Sequence, residues 1–181
     1  MVSFASSAAA TNGRSFGTRW PEDTVQRARR GAEIASRPYL CLLNSDTLVT
    51  PWCWYTVKEA FEGDSAIGVA GPSTSESSNE QTVEMAAHCW FYWHDSPICS
   101  FAELLTAAYP NPAICDLPWA SGFAFFIRRD LWQRLNGFDE HLADYGNELE
   151  LCKRVRNIRL SGGVGAVRSS YIHHILETKV M

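Results

Sequence analysis

The strongest constraint on the fold is a pair of short, continuous apolar segments separated by one helical pattern. The first segment is Tyr39–Leu43 and the second is Ile67–Ala70. Apolar runs of this length, without polar alternation, are typical of strands buried on both faces of a parallel sheet. Between them, Thr50 and Pro51 predict the cap and first turn of a helix that ends at Gly63. This order predicts a βαβ unit in a mostly parallel α/β sheet flanked by helices.

The rest of the chain predicts further elements of the same class. Helices are predicted at 21–36, 101–108, 130–135 and 148–156, and strands at 122–127 and 169–172. Residues 73–116 mix a Ser/Glu-rich loop with aromatics, Pro and Cys in no clean period, so we expect an irregular insertion there. We predict one domain over residues 21–181, preceded at 1–20 by a poorly ordered or remnant arm.

Composition and charge exclude several classes of function. A chain of 181 residues that is 46% hydrophobic can bury one core, and its net charge of -4, without a basic run, argues against a nucleic-acid partner. The six cysteines form no Cys-x-x-Cys pair, which argues against a zinc knuckle and fits reduced, buried thiols. No apolar run approaches the roughly 18 residues that cross a bilayer. We therefore expect a cytoplasmic protein, or one peripheral at the inner face of the membrane.

A polar turn follows the first predicted strand and is a candidate cation site. It consists of Asn44, Ser45, Asp46 and Thr47. A carboxylate beside an amide and a hydroxyl can hold a hard divalent cation while leaving other positions for phosphate oxygens and water. The alternative is that Asp46 only caps the turn.

Two further polar groups lie near the ends of predicted elements. Glu148 and Glu150 are two residues apart, so on a helix they diverge and only one can face a cleft, unless both simply suit the helix dipole. His173 and His174 follow the last predicted strand. Consecutive residues of an extended chain point to opposite sides, so one imidazole can face a site, although such a pair is more commonly structural.

Five segments, in the same order, resemble family 2 glycosyltransferases, including rhamnosyltransferase-like members. The matching stretches are 39–52 (YLCLLNSDTLVTPW), 67–72 (IGVAGP), 120–132 (ASGFAFFIRRDLW) with 135–140 (LNGFDE), 145–154 (YGNELELCKR) and 171–174 (YIHH). The resemblance covers about residues 30–175. It implies a GT-A (Rossmann-like) fold and inverting transfer of a sugar from a nucleotide-sugar donor to a glycan, lipid-linked or protein acceptor, as in polysaccharide biosynthesis.

The resemblance also implies roles for individual residues and a divalent cofactor, Mn²⁺ or Mg²⁺. Asp46 matches the metal-binding Asp of the family, with Asn44 in place of the other acid. Glu148 falls at the catalytic base, which is usually Asp, and Asn147 replaces an acid commonly found before it, next to the acceptor. His173 is the preferred match for the metal-associated His, with His174 close behind.

Two more residues are candidates for the site. Gly122 can let the backbone approach the donor sugar or diphosphate, and Trp119 can stack on the acceptor, with packing as the alternative for both. The family opens with a strand, helix and strand that hold the nucleotide, and no such pattern is recognisable before Pro21, so we expect an amino-terminally truncated fold. Two other functions stay open: an inactive relative that acts as a binding module, and a nucleotidyltransferase, although a Gly-rich basic phosphate loop is missing.

Overall fold

The computed structural model describes residues 3–6, 24–75, 77–83, 98–109, 112–142, 146–158 and 163–174. The strands are β1 (Ser3–Ser6), β2 (Tyr39–Leu43), β3 (Thr47–Val49), β4 (Ile67–Thr74), β5 (Ile114–Asp116), β6 (Ala124–Arg128) and β7 (Gly163–His174). The helices are α1 (Thr24–Ile34), α2 (Cys53–Gly63), α3 (Ile98–Ala108), α4 (Arg129–Arg134) and α5 (Asn147–Arg156).

The strands form one mixed sheet in the order β1-β2-β6-β4-β7-β3, with β5 also paired to β7. β1 is parallel to β2 and β4 is parallel to β7, whereas β6 lies between β2 and β4 and is antiparallel to both. β2 and β4 therefore run in the same direction, as the βαβ pattern predicts, but they are not hydrogen-bonded to each other.

The prediction of a mostly parallel sheet is wrong, although the α/β class is confirmed. The strands β3, β5 and β6 all pair in antiparallel fashion. The reason for β6 is its connection: residues 75–123 leave the carboxyl end of β4, and β6 begins beside that same end because Ala70 pairs with Phe126. A chain that re-enters a sheet at the edge it left must run back along its neighbour.

Three short strands and one helix start differ from the sequence prediction. β1 lies inside the expected arm at 1–20, where it pairs through its backbone with the free edge of β2. β3 and β5 were not predicted, because a strand of only three residues is too short to show an alternation of apolar and polar side chains. Thr50 does not cap α2: its hydroxyl donates to the Tyr171 carbonyl of β7, and the cap position is occupied by Trp52 at φ 68°.

The sheet separates the two larger hydrophobic cores of the described residues. Helices α1, α4 and α5 cover one face, where Leu40 and Phe125 are fully buried. Helix α2 covers the other face, where Cys41 and Phe126 are buried. Neighbouring residues of β2 and β6 thus point into different cores, which explains why these strands are continuously apolar.

The described thiols behave as buried apolar groups. Cys41, Cys53, Cys115 and Cys152 are free, and all except Cys115 are buried. Burial raises the pKa of the Cys53 and Cys152 thiols to about 12, so they are protonated at neutral pH and unsuited to nucleophilic attack. Within the described part of the chain, no helix combines the length and apolar character needed to cross a membrane.

Candidate active site

A cavity of about 500 Å³ opens where β2 and β7 end and β6 begins. Its lining comes from several distant segments of the chain: Asn44, Ser78, Trp119, Ser121, Gly122, Phe123, Gly146, Glu148, Leu149 and His174. Five of these residues, Asn44, Trp119, Gly122, Glu148 and His174, were predicted from the sequence. The fold therefore brings together residues from both halves of the chain at one edge of the sheet.

One side of the cavity carries His174, at the end of β7, and Asp46 contacts this residue from outside the lining. Thr47 lies opposite His174 in the antiparallel pair of β3 and β7, which places the preceding Asp46 beside the imidazole. The Oδ2 atom of Asp46 is 3.2 Å from Nε2 of His174, and their side chains are 49% and 23% exposed. A carboxylate and an imidazole that both remain open to solvent form a mixed O/N ligand pair suited to Mn²⁺.

His174 is held in place through both its side chain and its backbone. The Phe123 ring stacks on the imidazole with centroids 5.7 Å apart and an angle of 24° between the planes. The Ser75 hydroxyl donates to the His174 carbonyl and accepts from the His174 N–H, each at 3.1 Å. The imidazole is therefore oriented toward Asp46 by its surroundings.

His173 lies on the other face of β7 and does not share the site of His174. Its side chain is buried, and its Nδ1 atom is 3.0 Å from the Tyr171 hydroxyl. Tyr171 in turn packs edge-on against Phe101 of α3, with ring centroids 4.8 Å apart. The two imidazoles diverge as an extended chain requires, and His174, not the preferred His173, is the one that contacts Asp46.

The turn after β2 is shaped by its backbone. Asn44 donates its N–H to the Phe123 carbonyl at 3.0 Å, and the Thr47 hydroxyl donates to the Asn44 carbonyl at 2.7 Å. Asn44 lines the cavity, while Ser45 is exposed in the turn and is not among the lining residues. Among the described residues, no group of three or more His, Cys, Asp or Glu side chains is placed to hold a metal ion. Within the part of the chain that the structure describes, Asp46 and His174 thus form a pair of possible ligands without a third of these types.

The opposite side of the cavity carries the Glu148 carboxylate, in the first turn of α5. It lies against Gly122, where an added Cβ would overlap Oε1 of Glu148. Burial raises the pKa of Glu148 above its ordinary value, because water no longer solvates the charged form. Gly122 is therefore needed for the space that it leaves to this carboxylate.

The neighbouring acidic and amide side chains of α5 point elsewhere. Glu150 accepts two hydrogen bonds from Arg154, each at 2.6 Å, and Arg154 also donates to the carbonyls of Leu135 and Gly137. Only Glu148 of the two carboxylates faces the cavity, as the two-residue spacing predicts. Asn147, predicted to contact the acceptor, is buried in α5 and is not among the lining residues.

The sequence prediction missed two amide side chains that contact the cavity wall. Asn79 and Gln81 belong to a segment that the composition describes only as a polar loop, yet Gln81 is fully buried and bonds to the backbone of Ser121. A sequence signal exists in Gly71, inside a buried strand, since a glycine there indicates close approach of another group. Its partner is Gln81.

Comparisons with known proteins identify the fold. No protein-family model and no curated protein matches the chain. The crystal structure of GalNAc-T7 with UDP, GalNAc and Mn²⁺ matches at a TM-score of 0.57 and 15% identity, covering 89% of this chain and 32% of that one. A mycobacterial protein overlaps at a TM-score of 0.49 and 12% identity, covering 90% of this chain and 47% of that one.

The GalNAc-T7 match covers most of this chain but only part of the matched chain. The chain spans about a third of the length of the GalNAc-T7 chain. At 15% identity the likeness establishes a shared fold, and the predicted GT-A-like α/β architecture, with a central sheet flanked by helices, is confirmed.

Proposed function

We propose that this protein is a GT-A-type glycosyltransferase, related to family 2, that moves a sugar from a nucleotide-sugar donor to an acceptor hydroxyl with inversion. The observation that carries the proposal is that Glu148 and His174 line one cavity and that His174 contacts Asp46, although the three residues are distant in sequence. The likeness to GalNAc-T7, whose structure contains UDP, GalNAc and Mn²⁺, supports the choice of donor and metal.

Asp46 and His174 are the residues that would hold Mn²⁺ or Mg²⁺. Their exposed O and N atoms fit such an ion, which would take its remaining ligands from the donor diphosphate and water. When bound, the metal supplies positive charge that stabilises the departing nucleoside diphosphate. The Asn44 amide, on the same side of the cavity, and the adjacent Ser45 are the polar groups we assign to the donor.

Glu148 is the residue that we assign as general base. Its carboxylate accepts the proton of the acceptor hydroxyl while that oxygen attacks the anomeric carbon on the face opposite the diphosphate. One displacement of this kind breaks the sugar–phosphate bond, forms the new glycosidic bond and inverts the anomeric centre. The raised pKa makes the ionised carboxylate a stronger base than an ordinary Glu.

Trp119 supplies an aromatic surface in the cavity lining, where it can stack against an acceptor sugar. Asn147 is buried in the first turn of α5, so we assign it to the support of Glu148 rather than to the acceptor. Gly122, expected from the sequence to approach the donor, is assigned instead to the support of the base, because it leaves room for the Glu148 carboxylate.

Calorimetry and hydrolysis assays with a panel of UDP-, GDP- and TDP-sugars, each with and without Mn²⁺, test the proposal. We expect metal-dependent binding of one donor and its turnover, with binding lost in Asp46→Asn. Glu148→Gln should still bind the donor but lose about 10²- to 10⁴-fold in rate, the usual contribution of a general base.

Glu150→Gln is the matched control, because Glu150 faces Arg154 and not the cavity, and it should retain the wild-type rate. Absence of binding to every donor in the presence of Mn²⁺ would contradict the proposal. Donor binding without any transfer or hydrolysis would instead indicate a binding module, and release of pyrophosphate would indicate a nucleotidyltransferase.

A further inference from the structure

The segment at residues 117–123, here called the cavity loop, has no helix or strand of its own. It contributes Trp119, Ser121, Gly122 and Phe123 to the cavity lining. Irregular backbone of this kind must find partners for its N–H and carbonyl groups outside the regular ladders. For the cavity loop, two of these partners are side chains of the 77–83 segment.

Gln81 connects the cavity loop to β4. Its side chain is fully buried, with Nε2 donating to the Pro72 carbonyl at 2.9 Å. Its Oε1 accepts from the Ser121 N–H at 2.7 Å and from Nδ2 of Asn79 at 3.2 Å. An added Cβ at Gly71 would overlap Nε2 of Gln81, so the glycine provides the space for this side chain. Both acceptor positions of the Gln81 oxygen are thus occupied.

Asn79 makes a second connection to the same loop. Its Nδ2 atom donates to the Trp119 carbonyl at 2.9 Å, and its Oδ1 atom accepts from the Gln81 N–H at 3.0 Å. The Ser77 hydroxyl donates to the same Oδ1 atom at 2.7 Å. Asn79 and Gln81, here called the amide pair, therefore bind the carbonyl of Trp119 and the N–H of Ser121 at the same time.

We infer that Asn79 and Gln81 are positioning residues that hold the cavity loop against the site, so that Gly122 stays in register with the Glu148 carboxylate. Ser121 and Gly122 share a peptide bond, and Gly122 has no room to shift toward Glu148. If the Ser121 N–H loses its acceptor, the Ala120–Ser121 peptide group that carries it can rotate, the adjacent Gly122 shifts, and the base is displaced. The catalytic consequence rests on the proposed function, whereas the ordering of the loop does not.

Two substitutions and one matched control test this role in the full chain. Asn79→Ala removes the bond to Trp119, and Gln81→Met removes the bond to Ser121 at similar side-chain volume. Thr82→Val is the control, because the Thr82 hydroxyl bonds to the backbone N–H and carbonyl of Ser77 within the same segment, at 2.8 and 2.9 Å, and not to the cavity loop.

Hydrogen exchange of the backbone amides, followed by mass spectrometry, is the first measurement. We expect exchange in residues 117–123 to become about 10-fold faster in Asn79→Ala and Gln81→Met, while α2 and Thr82→Val keep wild-type rates. Unchanged exchange in the cavity loop of both test variants would overturn the inference. Equally faster exchange in α2 would also overturn it, since it would show a general loss of stability.

Kinetics with the nucleotide sugar that wild-type protein hydrolyses is the second measurement. We expect kcat to fall about 10-fold in both test variants because small displacements of a catalytic group are costly. Donor affinity should stay within about 2-fold, because Phe123, the loop residue that stacks on His174, keeps its own bond from the Asn44 N–H. A parallel loss of kcat and affinity would overturn the positioning role. If the wild type hydrolyses no donor, the proposed function fails, and the exchange experiment still decides whether the amide pair orders the loop.

Discussion

The two sides of the cavity are held in place by different physical means. Asp46 and His174 are positioned by backbone register, since β3 pairs with the end of β7 and their side chains stay partly exposed. Glu148 is positioned by close fit, because its carboxylate fills the space left by Gly122 and is partly withdrawn from water.

This difference indicates how each side should respond to change. A ligand pair set by strand register tolerates altered neighbours but depends on the identity of its own two side chains. A buried carboxylate depends on the exact shape of the groups that surround it, and its charge lowers the stability of the folded state. Substitutions of Asp46 or His174 should therefore change metal-dependent donor affinity, whereas substitutions around Glu148 should change kcat or stability.

After the loss of the base itself in Glu148→Gln, the largest effect is expected from Gly122→Ala, which tests the close fit. The added methyl group overlaps the Glu148 carboxylate and must displace it, so we expect kcat to fall about 100-fold with donor affinity retained. Gly122 does not have a positive φ, so the effect would come from space alone.

Gly63→Ala is the matched control, since no atom lies within 4 Å of an added Cβ at the end of α2. It should leave kcat unchanged. The double variant Gly122→Ala with Glu148→Asp shortens the displaced side chain and should recover part of the lost rate. Wild-type kcat in Gly122→Ala would show that the fit around Glu148 is irrelevant to turnover.

A smaller effect is expected when the two neighbouring histidines are compared. His174→Ala removes one of the two proposed ligands, so Mn²⁺-dependent nucleotide affinity should weaken at least about 10-fold, or about 1.4 kcal/mol, by calorimetry. His173→Ala should keep that affinity and instead lower the free energy of unfolding by about 2 kcal/mol, because it removes a buried side chain in contact with Tyr171. If His173→Ala weakened the Mn²⁺-dependent affinity and His174→Ala did not, His173 would be the metal ligand.

The smallest effect is expected from the charge of Glu148 on stability. Because its pKa is raised in the folded protein, the folded state binds more protons than the unfolded chain, and stability falls as pH rises between the ordinary and the raised pKa. Glu148→Gln lacks this charge, so its Tm should exceed that of the wild type by a few degrees near neutral pH.

The Tm difference should shrink below the ordinary Glu pKa of about 4.3, where both side chains are neutral. Differential scanning calorimetry across this pH range measures it. A Tm difference that does not change with pH would mean that the carboxylate is as well solvated in the folded protein as in the unfolded chain.

The sequence predicts much of the secondary structure because the signals are local. The apolar spacing of Val25, Ala28, Ala32 and Ala35 predicted α1, and all four side chains are buried. The continuous apolar segments likewise predicted β2 and the first half of β4. The direction of β6 could not be predicted in this way, since it depends on the path of a long connection and not on local pattern.

The site was predictable in its residue types but not in its detailed geometry. Glu148 and the turn at Asp46 were found because each follows or begins a recognisable element. The choice between His173 and His174 depends on the register of β3 against β7, and a shift of one residue would exchange them. The burial of Gln81 was hidden because its partners, Pro72 and Ser121, are distant in sequence or belong to an irregular loop.

Because β7 is long, the candidate site at its end is coupled to the unfolding of the whole sheet. This strand runs from Gly163 to His174 and pairs with β3, β4 and β5, so the sheet cannot come apart without releasing the tip that carries His174. By mass action, a ligand that needs this tip in place opposes thermal denaturation, by about 2.7 kcal/mol at a concentration 100 times its Kd. A thermal melting curve would thus report the binding of a nucleotide-sugar donor to the site, even when the acceptor is unknown.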